Sequence, residues 1–288
     1  MRRRRRSCRA TASTSTSDLG TAALTTEGDV LWRTTLTYSP EYGNGGSPLL
    51  YHDLLIANCD GGDQAYVVAL DTKTGVVRWK TPRRASGSAY TTPLLVRVGG
   101  RDQAVSVGAN SAAAYDPTSG TELWHVNHYG SSTVPSPAFG HGYVYLASGF
   151  LTVTLLAVRA DGEGDVTRTH VAWKMERTAP LTPSPLLVGD EVYIVTDGGI
   201  ATCLDALTGR RHWQERLTGT YSASPVYADG HIYFVNEDGV TTVIAPGPAF
   251  RSLATNTLEG ATLSSLAVAG GSMFIRTASA LYRIATAR

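Results

Sequence analysis

The sequence predicts an all-β chain, a β-propeller of four-stranded antiparallel blades, on the strength of two periodicities and its composition. A Ser/Thr-Pro pair recurs at Ser47-Pro48, Thr92-Pro93, Ser136-Pro137, Ser184-Pro185 and Ser224-Pro225, with Ser265-Leu266 as a decayed sixth copy. The intervals of 45, 44, 48, 40 and 41 residues match the length of one blade. Trp79, Trp124, Trp173 and Trp213 follow Pro48, Pro93, Pro137 and Pro185 by 31, 31, 36 and 28 residues, and Leu253 stands 28 residues after Pro225. Thirty glycines and 13 prolines in 288 residues suit many hairpins, and the apolar runs, such as Val67-Leu70 and Leu155-Val158, are of strand length. No run approaches the roughly 20 apolar residues of a membrane span.

Within each repeat the stretch before the tryptophan is the most specific. Asp71, Gly75 and Trp79 are spaced four and four; so are Asp116, Gly120 and Trp124, and Asp205, Gly209 and Trp213. The aspartate can accept backbone amides two residues on, and the glycine takes a positive φ, which together predict a hairpin between the two outer strands. The tryptophan then opens the outermost strand and offers a large apolar plate to the seam between blades. Trp32 is read as the same plate in a partial repeat.

The A-x-D-x-x-T-G-x-x-x-W pattern resembles the pyrroloquinoline-quinone-type (PQQ-like) propeller repeat, shared by quinoprotein dehydrogenases and the BamB family of outer-membrane assembly lipoproteins. Asn58-Cys59-Asp60-Gly61-Gly62, the run from Gly164 to Trp173, Trp213-Leu217 and Ala223-Tyr227 resemble bacterial PQQ-binding-like propeller proteins more closely. The resemblance spans about residues 29–286. It implies the propeller fold, a protein partner, and a periplasmic or cell-envelope location.

Closure of the ring is expected from the ends. The last repeat supplies strands near Ser265-Val268, Ser272-Thr277 and Ala280-Ala285, and Asp29-Leu36, with Trp32, is expected to add the fourth. Five repeats plus this composite predict six blades, with residues 27–288 a single domain and 1–26 a disordered start. Arg2 to Arg6 would suit a secretory leader, but no apolar segment follows, so no signal peptide is expected; nucleic-acid contact and a twin-arginine address are the alternatives. Without residues 1–10 the net charge of +1 becomes 19 − 24 = −5. A mildly acidic body predicts no nucleic-acid binding.

The chemistry-bearing residues are sparse. Cys59 and Cys203 form no C-x-x-C motif and are expected as structural residues. His125 and His128 could supply at most half a metal site and are read as surface-loop residues. Asp161-Gly162-Glu163-Gly164-Asp165 has the oxygen spacing of a calcium loop without its distal glutamate, and is read as a hairpin insertion. No metal and no catalytic residue is therefore expected. The adjacent cysteines and the calcium and catalytic carboxylates that quinoproteins imply cannot be placed, so no cofactor is expected.

What remains is recognition. The segments entering the innermost strands carry Tyr42, Asn44, Tyr90, His128, Tyr129 and Tyr221, and tyrosine offers apolar area plus a hydroxyl at small entropic cost. The expectation is a monomeric, non-catalytic scaffold for a protein partner. Two alternatives stay open: rings that merely plug the channel mouth, and an enzyme, either a quinoprotein-type dehydrogenase or a lyase or hydrolase acting on a carbohydrate or peptide.

Overall fold

The structure, a computed structural model, describes residues 9–14, 19–84, 87–150 and 152–285. It is an all-β propeller fold of antiparallel blades, and the chain gathers into two compact units. Unit 1 spans residues 1–133 with 161–169, and unit 2 spans 134–160 with 170–288.

Unit 1 holds three sheets. Arg9–Thr14, Leu19–Leu24 and Val30–Thr35 form the first; Leu49–Tyr51, Leu54–Asp60, Ala65–Asp71 and Val77–Pro82 form the second. Leu94–Val98, Arg101–Val107, Ser111–Tyr115 and Glu122–Asn127 form the third. Its outer edge gains Gly164–Asp165, running parallel, with Trp124 opposite Gly164. The insertion read from the glycine-acid alternation is thus a strap, pinned by the Val166 amide on the His125 carbonyl at 2.9 Å and by fully buried Val166.

Unit 2 holds three four-stranded sheets, beginning at Ala138–Gly140, Leu186–Val188 and Val226–Ala228, and a three-stranded one of Ala267–Ala269, Ser272–Arg276 and Leu281–Ala285. Along it the Ser-Pro repeat has a physical role. The amide of Ser136 donates to the Ser184 hydroxyl, Ser184 to Ser224 and Ser224 to Ser265, each at 2.9 Å. The hydroxyl is the part each neighbour needs, which is why the last copy tolerates leucine in place of proline.

The Asp-Gly turns form as the residue types dictate. Asp71 Oδ1 accepts the amides of Lys73 and Thr74 at 2.9 Å, and Asp205 Oδ1 those of Leu207 and Thr208 at 3.1 and 2.8 Å. Each turn seats the tryptophan of the preceding sheet. Trp32 Nε1 donates to Thr72 O, Trp79 to Pro117 O, Trp173 to Ala206 O and Trp213 to Gly247 O, at 2.9–3.1 Å. A Cβ on Gly75 would lie 2.5 Å from the Trp32 ring, and one on Gly120 2.5 Å from Trp79, so glycine is required both for its positive φ and for the indole. Trp124 differs: it is fully buried and donates to Gln103 Oε1 of its own sheet at 2.8 Å.

The N-terminal region departs from expectation. Val30–Thr35 ladders against Leu19–Leu24, with Trp32 opposite Ala23, and not against the last strand. A turn at 25–29, closed by the Thr25 amide on the Asp29 carbonyl, makes this local pairing the shorter loop to close. Residues 19–24, expected to be disordered, are therefore a strand. Gly20, Ala22 and Ala23 carry little β propensity, but Ala23 fits against Trp32 and is buried, and a Cβ on Gly20 would stand 2.8 Å from the Thr34 carbonyl. The expected composite sixth blade is not formed among the described residues, which make seven sheets with a three-stranded one at each end.

Candidate functional site

Three loops of unit 1 carry five of the six sequence-predicted recognition residues: 37–48, 83–93 and 127–133. They are tied to one another. The Glu41 amide donates to Ser88 Oγ at 3.3 Å, the Ser47 amide to Thr92 Oγ1 at 3.0 Å, and the Tyr90 amide to the Thr133 carbonyl at 2.7 Å. The Asn44 side chain serves its own loop, its Oδ1 accepting the Gly46 amide at 3.2 Å. The Tyr42 and Tyr90 rings lie 6.3 Å apart, tilted by 45°. Tyr42 is 78% exposed and Tyr129 82%, so both rings stand clear of loops that are themselves braced.

Beneath this rim is a buried polar floor. Asn58 Nδ2 donates to Thr91 O at 3.1 Å, Ser106 Oγ donates to Asn58 Oδ1 at 2.6 Å, and Thr91 Oγ1 donates to Val107 O at 2.6 Å. Two residues on from Asn58, Asp60 Oδ2 meets Arg83 Nη1 at 2.9 Å, with side chains 0% and 2% exposed. Arg83 also donates to Ser106 O at 3.3 Å, joining the ion pair to the network. Burial pushes the Asp60 carboxyl up to about 6, against the opposing pull of Arg83. Its second oxygen, Oδ1, is buried without a hydrogen-bond partner.

His128 corrects an expectation: it is buried, not a surface-loop residue, and so is His125. Burial brings the His128 imidazole down to about 4; Arg83 adds to this, while backbone groups of Tyr129, Gly108 and Ser111 act the other way. None of these backbone groups makes a well-formed hydrogen bond, and both ring nitrogens stay unpartnered, as does the Tyr90 hydroxyl. His125 instead takes Glu122 Oε1 on Nδ1 at 2.9 Å and lies 3.7 Å from Asp165 Oδ2, beside the strap.

The sixth residue, Tyr221, belongs to unit 2 and is 1% exposed, its amide donating to the Asp197 carbonyl. It is a buried plug of its own blade. Burial raises its phenol to about 12. Asp60 and Arg83, central to the floor, were not singled out as a pair. One signal could have found them: Asp60, Asp197 and Glu237 each stand twelve residues after the repeat proline (48 + 12, 185 + 12, 225 + 12).

Residues 108–249 match the family model described as outer membrane protein assembly factor BamB. These residues carry PQQ-like propeller repeats. BamB from Moraxella catarrhalis superposes with a TM-score of 0.68 at 17% identity, over 92% of this chain and 79% of that one. Quinohemoprotein alcohol dehydrogenase from Comamonas testosteroni gives a TM-score of 0.57 at 16% identity, over 79% of this chain and 52% of its own. The computationally designed Ika8 protein gives 0.65 at 10% identity, over 92% and 77%. No curated protein matches the sequence significantly.

The PQQ-like repeats raise the question of the quinone, a planar tricarboxylate that needs several cations and a metal with carboxylate ligands. The residues present do not fit it. At this mouth Arg83 is paired with Asp60 and Arg84 with Glu122, and among the described residues no three His, Cys, Asp or Glu side chains converge on a metal position. Cys59 and Cys203 are free, buried thiols, each pushed by burial up to about 12. Among the described residues no helix is long and apolar enough to cross a membrane.

Proposed function

We propose that this chain is a non-catalytic propeller scaffold that recognises a protein partner through the tyrosine-bearing loops of unit 1. The observation that carries the reading is the pairing of two strongly exposed rings, Tyr42 and Tyr129, with loops held by hydrogen bonds from below. Exposed aromatic side chains on a rigid base lose little entropy on binding and are the usual anchors of an interface. The description of the matched family model as an outer membrane protein assembly factor agrees with a scaffolding role and with a place in the cell envelope. On this reading the chain acts as a monomer, without cofactor.

A second reading, general acid–base catalysis, has one observation in its favour: a buried carboxyl raised to about 6, paired with Arg83, whose charge also acts on the His128 imidazole. It is the weaker one, because Asp60 is fully buried and held by Arg83. The test is a Tyr42→Ala/Tyr129→Ala variant used as bait in the native lysate. It should melt within about 1–2 °C of the parent, as expected for exposed positions, and lose the proteins that the parent retains. Retention of the same set would refute the assignment.

A further inference from the structure

Two successive sheets of unit 2 carry a tyrosine beneath a tryptophan, and the next sheet keeps the tyrosine but has lost the indole. Trp173 stands opposite Ala157 and Trp213 opposite Cys203. One strand further in, Tyr145 and Tyr193 pair with the same Ala157 and Cys203, so the tyrosine and indole ring centroids lie 5.9 and 6.0 Å apart. Phe250, from the following turn, adds a third ring 5.1 Å from Trp213. The next sheet repeats this register with Tyr233 opposite Val243 and Val243 opposite Ala254. An alanine therefore holds the indole's position, while Leu253 beside it is left unpaired by the bulge.

The lost plate leaves room. A cleft of about 830 Å3 lies between this sheet and the three-stranded one, with Tyr233 and Val243 on one wall and Leu266, Met273, Ile275 and Ile284 on the other. Its size is that of a small-molecule site, about 300–1,000 Å3. Space left in an apolar interior by a missing large side chain takes up an apolar molecule of similar shape, as engineered cavities take up benzene. Tyr233 and Val243 are the two residues that underlie the missing indole, and a flat ring is the shape that the same pair of positions carries in the two preceding sheets. The charge of the guest follows from the wall. Asp229, exposed at the turn before Tyr233, is the one charged side chain among the lining residues. Burial raises the Tyr233 phenol and the Asp229 charge raises it further, so the carboxylate sits at the tyrosine's end of the cleft. Arg283 stands opposite Phe274, and its Nε is engaged with Ser272 Oγ at 3.1 Å. We propose that this cleft binds a small aromatic amine, its fused ring lying on Tyr233 and Val243 where the indole is missing and its ammonium meeting Asp229. The site belongs to unit 2 and stands or falls apart from the tyrosine rim of unit 1.

The test uses the methionines. Met273 is a wall residue, and the chain's other two are Met1 and Met175, so methyl-labelled methionine reports on the cleft with Met175, packed with Trp173 in an earlier seam, as the control. The full-length protein is titrated with tryptamine, indole-3-acetate and butylamine. Tryptamine should shift the Met273 methyl resonance saturably, with a dissociation constant of about a millimolar or below, and leave Met175 in place. Indole-3-acetate should bind at least about fivefold more weakly, having lost one charged contact. Butylamine, without a ring, should not saturate. Ala254→Trp restores the plate and should abolish the tryptamine response without lowering the melting temperature. Asp229→Asn keeps a residue type that tolerates this turn's φ of 47° and should remove the preference for tryptamine over indole-3-acetate. Should Ala254→Trp not fold, the three-ligand comparison on the parent protein decides alone. No saturation at Met273 with tryptamine, equal affinity for all three ligands, or an undiminished response in Ala254→Trp would overturn the proposal.

Discussion

Asp60 in unit 1 and Asp197 and Glu237 in unit 2 occupy one position of the repeat and are used differently. Asp197 Oδ2 accepts the amides of Leu181 and Thr182 at 2.9 and 3.4 Å, and Glu237 takes the hydroxyls of Thr220 and Ser222 at 2.9 and 2.5 Å. In both, the carboxylate fixes the loop that enters its own blade. Asp60 makes no such bond; in its blade Asp63 Oδ1 accepts the Ser39 amide at 2.7 Å, Gln64 and Tyr66 donate to the Thr37 carbonyl, and Ser88 adds a tie from the next blade. Asp60 is left to a buried arginine, with one oxygen unpartnered. A repeat position that serves only structure in unit 2 is thus withdrawn from that task in unit 1, where the exposed tyrosines stand.

The contrast can be broken first at its charges. Arg83→Leu strands a fully buried carboxylate and should cost about 3–5 kcal/mol. Glu237→Gln, which keeps a hydrogen-bonding oxygen in a more exposed loop, should cost about 1 kcal/mol. Urea denaturation of the two variants measures this directly, and equal costs would mean that the two positions are equivalent after all.

The seams allow a similar comparison. Trp79→Ala removes an indole seated on the Gly120 turn and should cost about 3–5 kcal/mol. Leu253, the bulged residue beside that place in a later repeat, is 42% exposed, so Leu253→Ala should cost well under half as much. If both melts shift alike, the turn does not seat the plate as described.

Acid titration separates the floor's two perturbed groups. Asp60 is raised from 3.8 to about 6, so the folded state holds its proton more tightly than the unfolded chain. The stability it contributes is present below about pH 4 and is lost as pH rises through about 6. His128 is lowered from 6.5 to about 4, which has the opposite slope: stability is gained as pH rises from about 4 to 6.5. In the parent protein the two slopes oppose each other. Asp60→Asn should leave a stability that rises by about 3 kcal/mol from pH 4 to 6.5, and His128→Gln one that falls by about 3 kcal/mol from pH 4 to 6. Parallel pH profiles for the two variants would contradict the assignment.

Sequence alone reveals the repeat unit, its hairpin and its tryptophans, because each rests on local chemistry: a capping carboxylate, a positive φ and a plate at fixed spacing. It does not reveal Leu19–Leu24, since Gly20, Ala22 and Ala23 have little β propensity and pair only because Trp32 requires small neighbours. Nor does it reveal the Asp60–Arg83 pair, whose members are 23 residues apart and flank Ala65–Asp71, meeting only once the whole sheet has formed. Tyr221 and Tyr42 look alike as residues entering inner strands; burial alone distinguishes the plug from the rim.

The smallest expected effect on stability belongs to the rim, where Tyr42→Ala and Tyr129→Ala should each change it by no more than about 0.5 kcal/mol. Thermal melts check this, and a large loss would make the rings structural. The most direct test of the rim's role is to place a photo-crosslinking phenylalanine analogue at position 42, 129 or 263 and irradiate in the native lysate. Leu263 is 69% exposed on a loop that enters the last sheet of unit 2, and serves as the matched control. Positions 42 and 129 should capture the same protein and position 263 should not. Capture at 263 with none at 42 and 129 would contradict the account.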